Sequence, residues 1–67
     1  MLYQLQRQRT AGAYITIKTC ESHEEAVNIL ADIASEYPNR PYKGEDKWQT
    51  SNDVHCVDRY RIVPLDF

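Results

Sequence analysis

Ala13-Tyr14-Ile15-Thr16-Ile17-Lys18-Thr19-Cys20-Glu21-Ser22-His23-Glu24-Glu25-Ala26 carries the chain from one periodicity to another, and that change decides the fold. Residues 13 to 20 are rich in β-branched side chains, with Ile15 and Ile17 on one face and Tyr14, Thr16 and Lys18 on the other, which is the pattern of a strand. Ser22 followed three residues later by Glu25 is a capping box. The Ser hydroxyl can accept from the Glu25 amide while the Glu carboxylate reaches back to the Ser22 amide, so a helix starts here. From that point Ala26, Ile29, Leu30, Ile33, Ala34 and Tyr37 recur at three- and four-residue spacing, forming an apolar stripe. Pro38 disfavours helical geometry at Tyr37, and the helix is expected over 23–37.

Upstream, Tyr3-Gln4-Leu5-Gln6-Arg7 alternates in the same two-residue period, with Tyr3 and Leu5 pointing inward. Thr10-Ala11-Gly12 is a turn in which Gly12 can supply the positive φ that short hairpin loops need. Residues 2–20 therefore read as a hairpin. Downstream, residues 38–53 hold Pro38, Pro41 and Gly44 among polar residues around a lone Trp48, and read as a long irregular excursion. Order resumes over 54–65, where Tyr60 and Ile62 share one face, Arg59, Arg61 and Val63 the other, and Pro64 ends the strand or marks an edge.

These elements make an α+β chain, a three-stranded antiparallel or mixed sheet of ββαβ order with one amphipathic helix packed on one face. Whether the last strand runs parallel or antiparallel to its neighbour is left open by the sequence. All 67 residues form a single domain on this reading. A chain of this length buries only about 60% of the surface its unfolded form exposes, so the core is small and an enclosed active site is not expected. No apolar run suits a signal peptide or a membrane span, and the expected location is the cytosol.

Charge is unevenly spread. Residues 1–20 carry Arg7, Arg9 and Lys18 without an acid, whereas 21–36 carry Glu21, Glu24, Glu25, Asp32 and Glu36 without a Lys or Arg. Two binding surfaces follow. In the first, the acidic helix residues Glu25, Asp32 and Glu36 join Tyr42, Lys47 and Trp48 of the excursion to meet a protein partner, because aromatic residues anchor interfaces. The plain alternatives are that Arg40 or Lys43 folds back on the acids and that Trp48 plugs the open side of a small core. In the second, Arg7, Arg9, Arg59 and Arg61 with Tyr60 form a basic aromatic sheet face for nucleic acid, against an isoelectric point near 5.5.

Cys20-x-x-His23 with the later pair His55-Cys56 supplies the right ligand types for zinc. The adjacency of His55 and Cys56 argues against it, since strand neighbours point to opposite faces. No cofactor is expected. Two distant cysteines in such a chain read as reduced thiols. No glycine-rich elbow or phosphate-cradling loop is present, and Ser22 is used as a cap, so the chain reads as non-enzymatic.

The stretches Ala13-Tyr14-Ile15-Thr16-Ile17, Ser22-x-Glu24-Glu25-Ala26 and Tyr60-Arg61-Ile62-Val63 resemble a pattern found among small phage and prophage accessory proteins of ββαβ type. About twenty residues separate the helix-ending Pro38 from the last strand here, more than that pattern has, and no catalytic residue is transferred. The resemblance implies a protein encoded by a phage or other mobile element that binds stoichiometrically to a host defence or nucleic-acid-processing complex. The leading expectation is therefore a small non-catalytic inhibitor acting in the cytoplasm of a host bacterium. A nucleic-acid-binding module and a zinc-stabilised structural domain are the alternatives.

Overall fold

The computed structural model describes residues 1–53 and 57–65. Five elements follow in order: β1 (Leu2–Arg9), β2 (Tyr14–Cys20), α1 (His23–Ala34), β3 (Lys47–Gln49) and β4 (Asp58–Leu65). The strands form one antiparallel sheet in the order β2-β1-β4-β3, with α1 against one face. The fold is the expected α+β arrangement with one strand more than the sequence indicated. That strand, β3, lies inside the excursion.

Helix α1 begins as its capping box requires: the Glu25 amide donates to Ser22 Oγ at 3.1 Å. The Glu25 carboxylate, however, accepts from the Glu21 amide at 3.0 Å, not from that of Ser22. Ala26, Leu30 and Ala34, spaced by four, are the buried residues of α1, and Val27, Ile29 and Ile33 flank them. Two alanines on this line let the helix lie close to the sheet, so Leu30 is fully buried, which stabilises the fold by about 1.5–3 kcal/mol. The helix stops at Ala34, three residues earlier than Pro38 suggested. Ser35 Oγ takes the Asp32 carbonyl at 2.6 Å, and the Glu36 and Tyr37 amides bond to Ile33 and Ala34. These i to i−3 bonds tighten the end of the helix and satisfy carbonyls that would otherwise need further α-helix.

The β1–β2 register contains a bulge. Leu5 pairs with Lys18 but Gln6 pairs with Thr16, so Ile17 has no partner and the alternation of β2 changes phase. Ile15 and Ile17 are consequently not equivalent. Ile17 packs against the core, while Ile15 on the edge strand is 53% exposed. The same shift sets Lys18 opposite the buried Leu5, on the helix side of the sheet.

The turn between β1 and β2 is closed by the Gly12 amide donating to the Arg9 carbonyl at 2.7 Å. Its positive φ falls on Thr10 at 34°, not on Gly12 as the sequence suggested. A branched residue in that region is strained, and a bond from the Thr10 amide to the Val57 carbonyl at 3.0 Å helps hold it. The last strand begins at Asp58. Of the segment expected to open it, Val54, His55 and Cys56 lie outside the described residues, and Val57 is buried.

The core unites Leu5, Cys20, Ala26, Leu30, Ala34, Tyr60 and Ile62 with Trp48. Trp48 is 7% exposed, donates through Nε1 to the Arg40 carbonyl at 3.0 Å, and packs against the rings of Tyr37 and Tyr60 at 5.6 and 5.8 Å. Tyr42 also packs against the core and donates its hydroxyl to the Glu45 carbonyl at 2.7 Å. The excursion is therefore the lid over one end of the core, because it supplies the bulk that a single twelve-residue helix cannot.

Candidate cationic sheet face

Opposed residues of an antiparallel sheet share a face. Leu5, Ile62, Tyr60 and Trp48 thus mark the side covered by helix and lid. The other side is bare, and the register assigns to it Gln4, Gln6 and Gln8 of β1, Tyr14 and Thr16 of β2, Lys47 and Gln49 of β3, and Arg59, Arg61 and Val63 of β4. None of these strand residues is acidic. The acids of the helical segment, Glu24, Glu25 and Asp32, line a cleft with Lys18 on the opposite side of the molecule. The strand residues of the bare face are thus cationic or neutral although the net charge is −2.

Arg61 is the most constrained residue of the bare face. Its guanidinium carbon lies 3.7 Å from the centroid of the Tyr14 ring, a cation–π contact. Its Nε donates to Gln6 Oε1 at 2.7 Å, Gln6 Nε2 donates to Gln4 Oε1 at 3.0 Å, and Thr16 Oγ1 donates to the same oxygen at 3.0 Å. The relay crosses three strands. Ordering four flexible polar side chains in this way costs side-chain entropy that an ordinary solvated surface would not spend.

Arg59 stands two residues away on the same strand, and Lys47 is directly opposite Arg61. Beside them lies an open groove of about 390 Å³ whose walls include Arg40, Pro41, Lys47, Gln49, Arg59 and Tyr14. Arg40 is fixed by a bond from Nε to the Gln49 carbonyl at 3.4 Å and does not fold back on the helical acids. One acid, Glu45, also borders the groove. Its carboxylate accepts from the Lys43 amide at 2.9 Å, which holds its carboxyl below the usual carboxylate range. Among the described residues no Arg or Lys forms a salt bridge, and the one basic-acidic contact is His23 Nε2 to Asp46 Oδ1 at 2.6 Å.

The residues singled out in sequence separate as follows. Arg59 and Arg61 are on the bare face. Arg7 and Tyr60 are not: they oppose each other on the covered side, where Tyr60 is 6% exposed. Burial pushes the Tyr60 phenol up, with the Arg7 guanidinium pulling the other way. Arg9 is opposite Asp58 in the register at the end of the sheet, on the same side as Arg7 and not on the bare face. Glu25 and Asp32 share the cleft with Lys18, while Glu36 follows the helix. Trp48 belongs to the core with Tyr42 packed against it, so the acidic helix and an aromatic loop do not form one surface, and Lys47 joins the cationic face instead.

Cys20 is a buried free thiol that desolvation, then the Glu25 charge, pushes up. His23 is turned to Asp46 and meets the Tyr3 ring edge-on at 5.4 Å. His55 and Cys56 lie outside the described residues, and among the described ones no three His, Cys, Asp or Glu side chains gather as a metal site would need. No helix of the described residues is long and apolar enough to cross a membrane.

Sequence reasoning missed the contribution of Gln4, Gln6 and Thr16, although the alternation of the glutamines with Tyr3, Leu5 and Arg7, and of Thr16 with Ile15 and Ile17, was the available signal. Arg40 entered only as a partner for the helical acids, and its place beside the groove depends on how the excursion folds. No protein-family model matches the chain, and no similar curated protein or solved structure was found.

Proposed function

We propose that this protein is a non-catalytic binding module that engages a nucleic acid through the bare face of its sheet. The observation that carries the reading is the cationic array of Arg61, Arg59 and Lys47, with Arg61 held by Tyr14 and Gln6, on strands that contribute no acid to that face. A sheet that buries one side under a helix normally solvates the other with mixed charge. Among the described residues these cations have no salt-bridge partner, so a polyanion can neutralise them without first breaking such a pair.

The test is binding of a labelled oligonucleotide as a function of salt. Three phosphates neutralised on a single strand give a logarithmic slope of about −2, so affinity falls roughly twentyfold from about 50 to 200 mM salt. Reversing Lys47 and Arg59 to Glu should abolish binding while far-UV circular dichroism stays unchanged, since both side chains lie off the core. Absence of binding by the wild-type protein at the lower salt refutes the reading.

A second reading keeps the stoichiometric inhibitor of a host protein complex, which the phage resemblance implies. It is supported by the cleft in which Glu24, Glu25 and Asp32 surround Ile29, an apolar contact rimmed by acids that suits a basic protein surface. Capture of one protein from nuclease-treated bacterial lysate, lost on Asp32→Lys, would favour it over the first.

A further inference from the structure

We propose that Arg61 is a stacking platform for one unpaired base, and that the ligand of the sheet face is consequently single-stranded. This rests on the nucleic-acid reading above and adds the site and strand state. The Arg61 guanidinium carbon lies over the Tyr14 ring and its Nε is tied to Gln6. Arg61 is half-buried, and the register places it on the uncovered face of the sheet. A guanidinium is planar, and unpaired bases stack on such planes as they do on aromatic rings. Base, Arg61 and Tyr14 would then form one continuous stack.

The neighbouring cations fit the backbone of that strand. Arg59 and Arg61 are two residues apart on β4, roughly 7 Å at the rise of an antiparallel strand, and Lys47 is one interstrand step from Arg61. Successive phosphates of an extended single strand can be met at that spacing, with Arg40 across the adjoining groove. A paired duplex presents its bases edge-on in the grooves and offers no free base plane to a flat sheet. The relay through Gln6, Gln4 and Thr16 holds Arg61 in place before the ligand arrives, which lowers the entropy lost on binding.

The experiment compares wild type with Arg61→Lys and Tyr14→Ala, using fluorescence anisotropy at about 50 mM salt. The probes are a single-stranded DNA oligonucleotide, the RNA of the same sequence, the corresponding DNA duplex, and heparin. Arg61→Lys keeps the charge and removes the plane. It should weaken single-strand binding about tenfold while leaving duplex and heparin binding within about twofold, and Tyr14→Ala should follow it. Stronger binding of either single strand than of the duplex supports the site, and the tighter of the two names the preferred sugar. A 2-aminopurine base in the single strand should lose emission on binding to wild type and keep it with Arg61→Lys. Equal weakening of all probes by Arg61→Lys overturns the platform and leaves a charge-only face. Failure of wild type to bind any of the four overturns the nucleic-acid reading with it.

Discussion

Replacing Trp48 separates a core role from a surface role. The side chain is 7% exposed, lies against Tyr37 and Tyr60, and donates Nε1 to the Arg40 carbonyl. Truncating a buried aromatic to Ala costs about 3–5 kcal/mol, through lost transfer energy and the cavity left behind. A domain of 67 residues has about 3–10 kcal/mol of stability in all, so Trp48→Ala should leave it marginal or unfolded. Trp48→Phe keeps a ring but leaves the Arg40 carbonyl without its donor, and should cost about 1–2.5 kcal/mol. Urea unfolding followed by far-UV circular dichroism reads both, because the probe does not depend on the single tryptophan. With a urea slope of about 1 kcal/mol per molar, the Phe variant should unfold about 1–2.5 M earlier than wild type. A Trp48→Ala protein that loses less than about 1 kcal/mol at unchanged slope would show that the excursion is not part of the core, and the description of its packing would be wrong. The result also bears on binding data, since any partner lost on Trp48→Ala would be lost through unfolding and not through a missing contact.

Ser22→Ala removes the acceptor of the Glu25 amide and should lower stability by about 1 kcal/mol in the same assay. Thr10→Gly relieves a branched residue at positive φ and should leave stability unchanged or raise it by a few tenths of a kcal/mol, whereas Gly44→Ala, at φ +90°, should cost about 1 kcal/mol. Burial raises the phenols of Tyr42 and Tyr60 above the ordinary tyrosine value. Between the ordinary and the raised values the unfolded chain has lost protons that the folded chain retains, so stability is full below about pH 10 and falls as pH rises through the folded values. Thermal melts from neutral to alkaline pH should show this decline, and Tyr60→Phe should make it shallower. Cys20, buried with its thiol pushed up, should be alkylated by iodoacetamide far more slowly in native than in urea-unfolded protein, as followed by mass spectrometry of its peptide.

Local signals carried a definite part of this structure. Ser22 and Glu25 marked the start of α1, Ala26, Leu30 and Ala34 marked its buried line, and alternation around Leu5 and Ile62 marked inward residues of β1 and β4. Each signal repeats within a few residues, at the period of the element that contains it. Lys47–Gln49 has no such period: three residues become a strand because β4 offers them an open edge, and β4 is set in place by β1. The same dependence on partners explains the bulge at Ile17. One unpaired residue sent Lys18 to the helix side and kept Tyr14 under Arg61, which no inspection of β2 alone would reveal.

The chemistry of the site divides along the same line. Sequence by itself determined that cations and acids occupy different segments over residues 1–36, that Arg59 and Arg61 alternate with Tyr60 and Ile62, and that residues 23–34 suit an amphipathic helix. Tertiary structure alone decided that Trp48 is a core residue with Tyr42 packed against that core, that Arg7 lies on the covered side, and that Lys47 and Arg40 stand beside Arg59. The physical reason is that facing is settled by register between strands distant in sequence. A one-residue change of register turns a side chain from one face of the sheet to the other without altering any local preference.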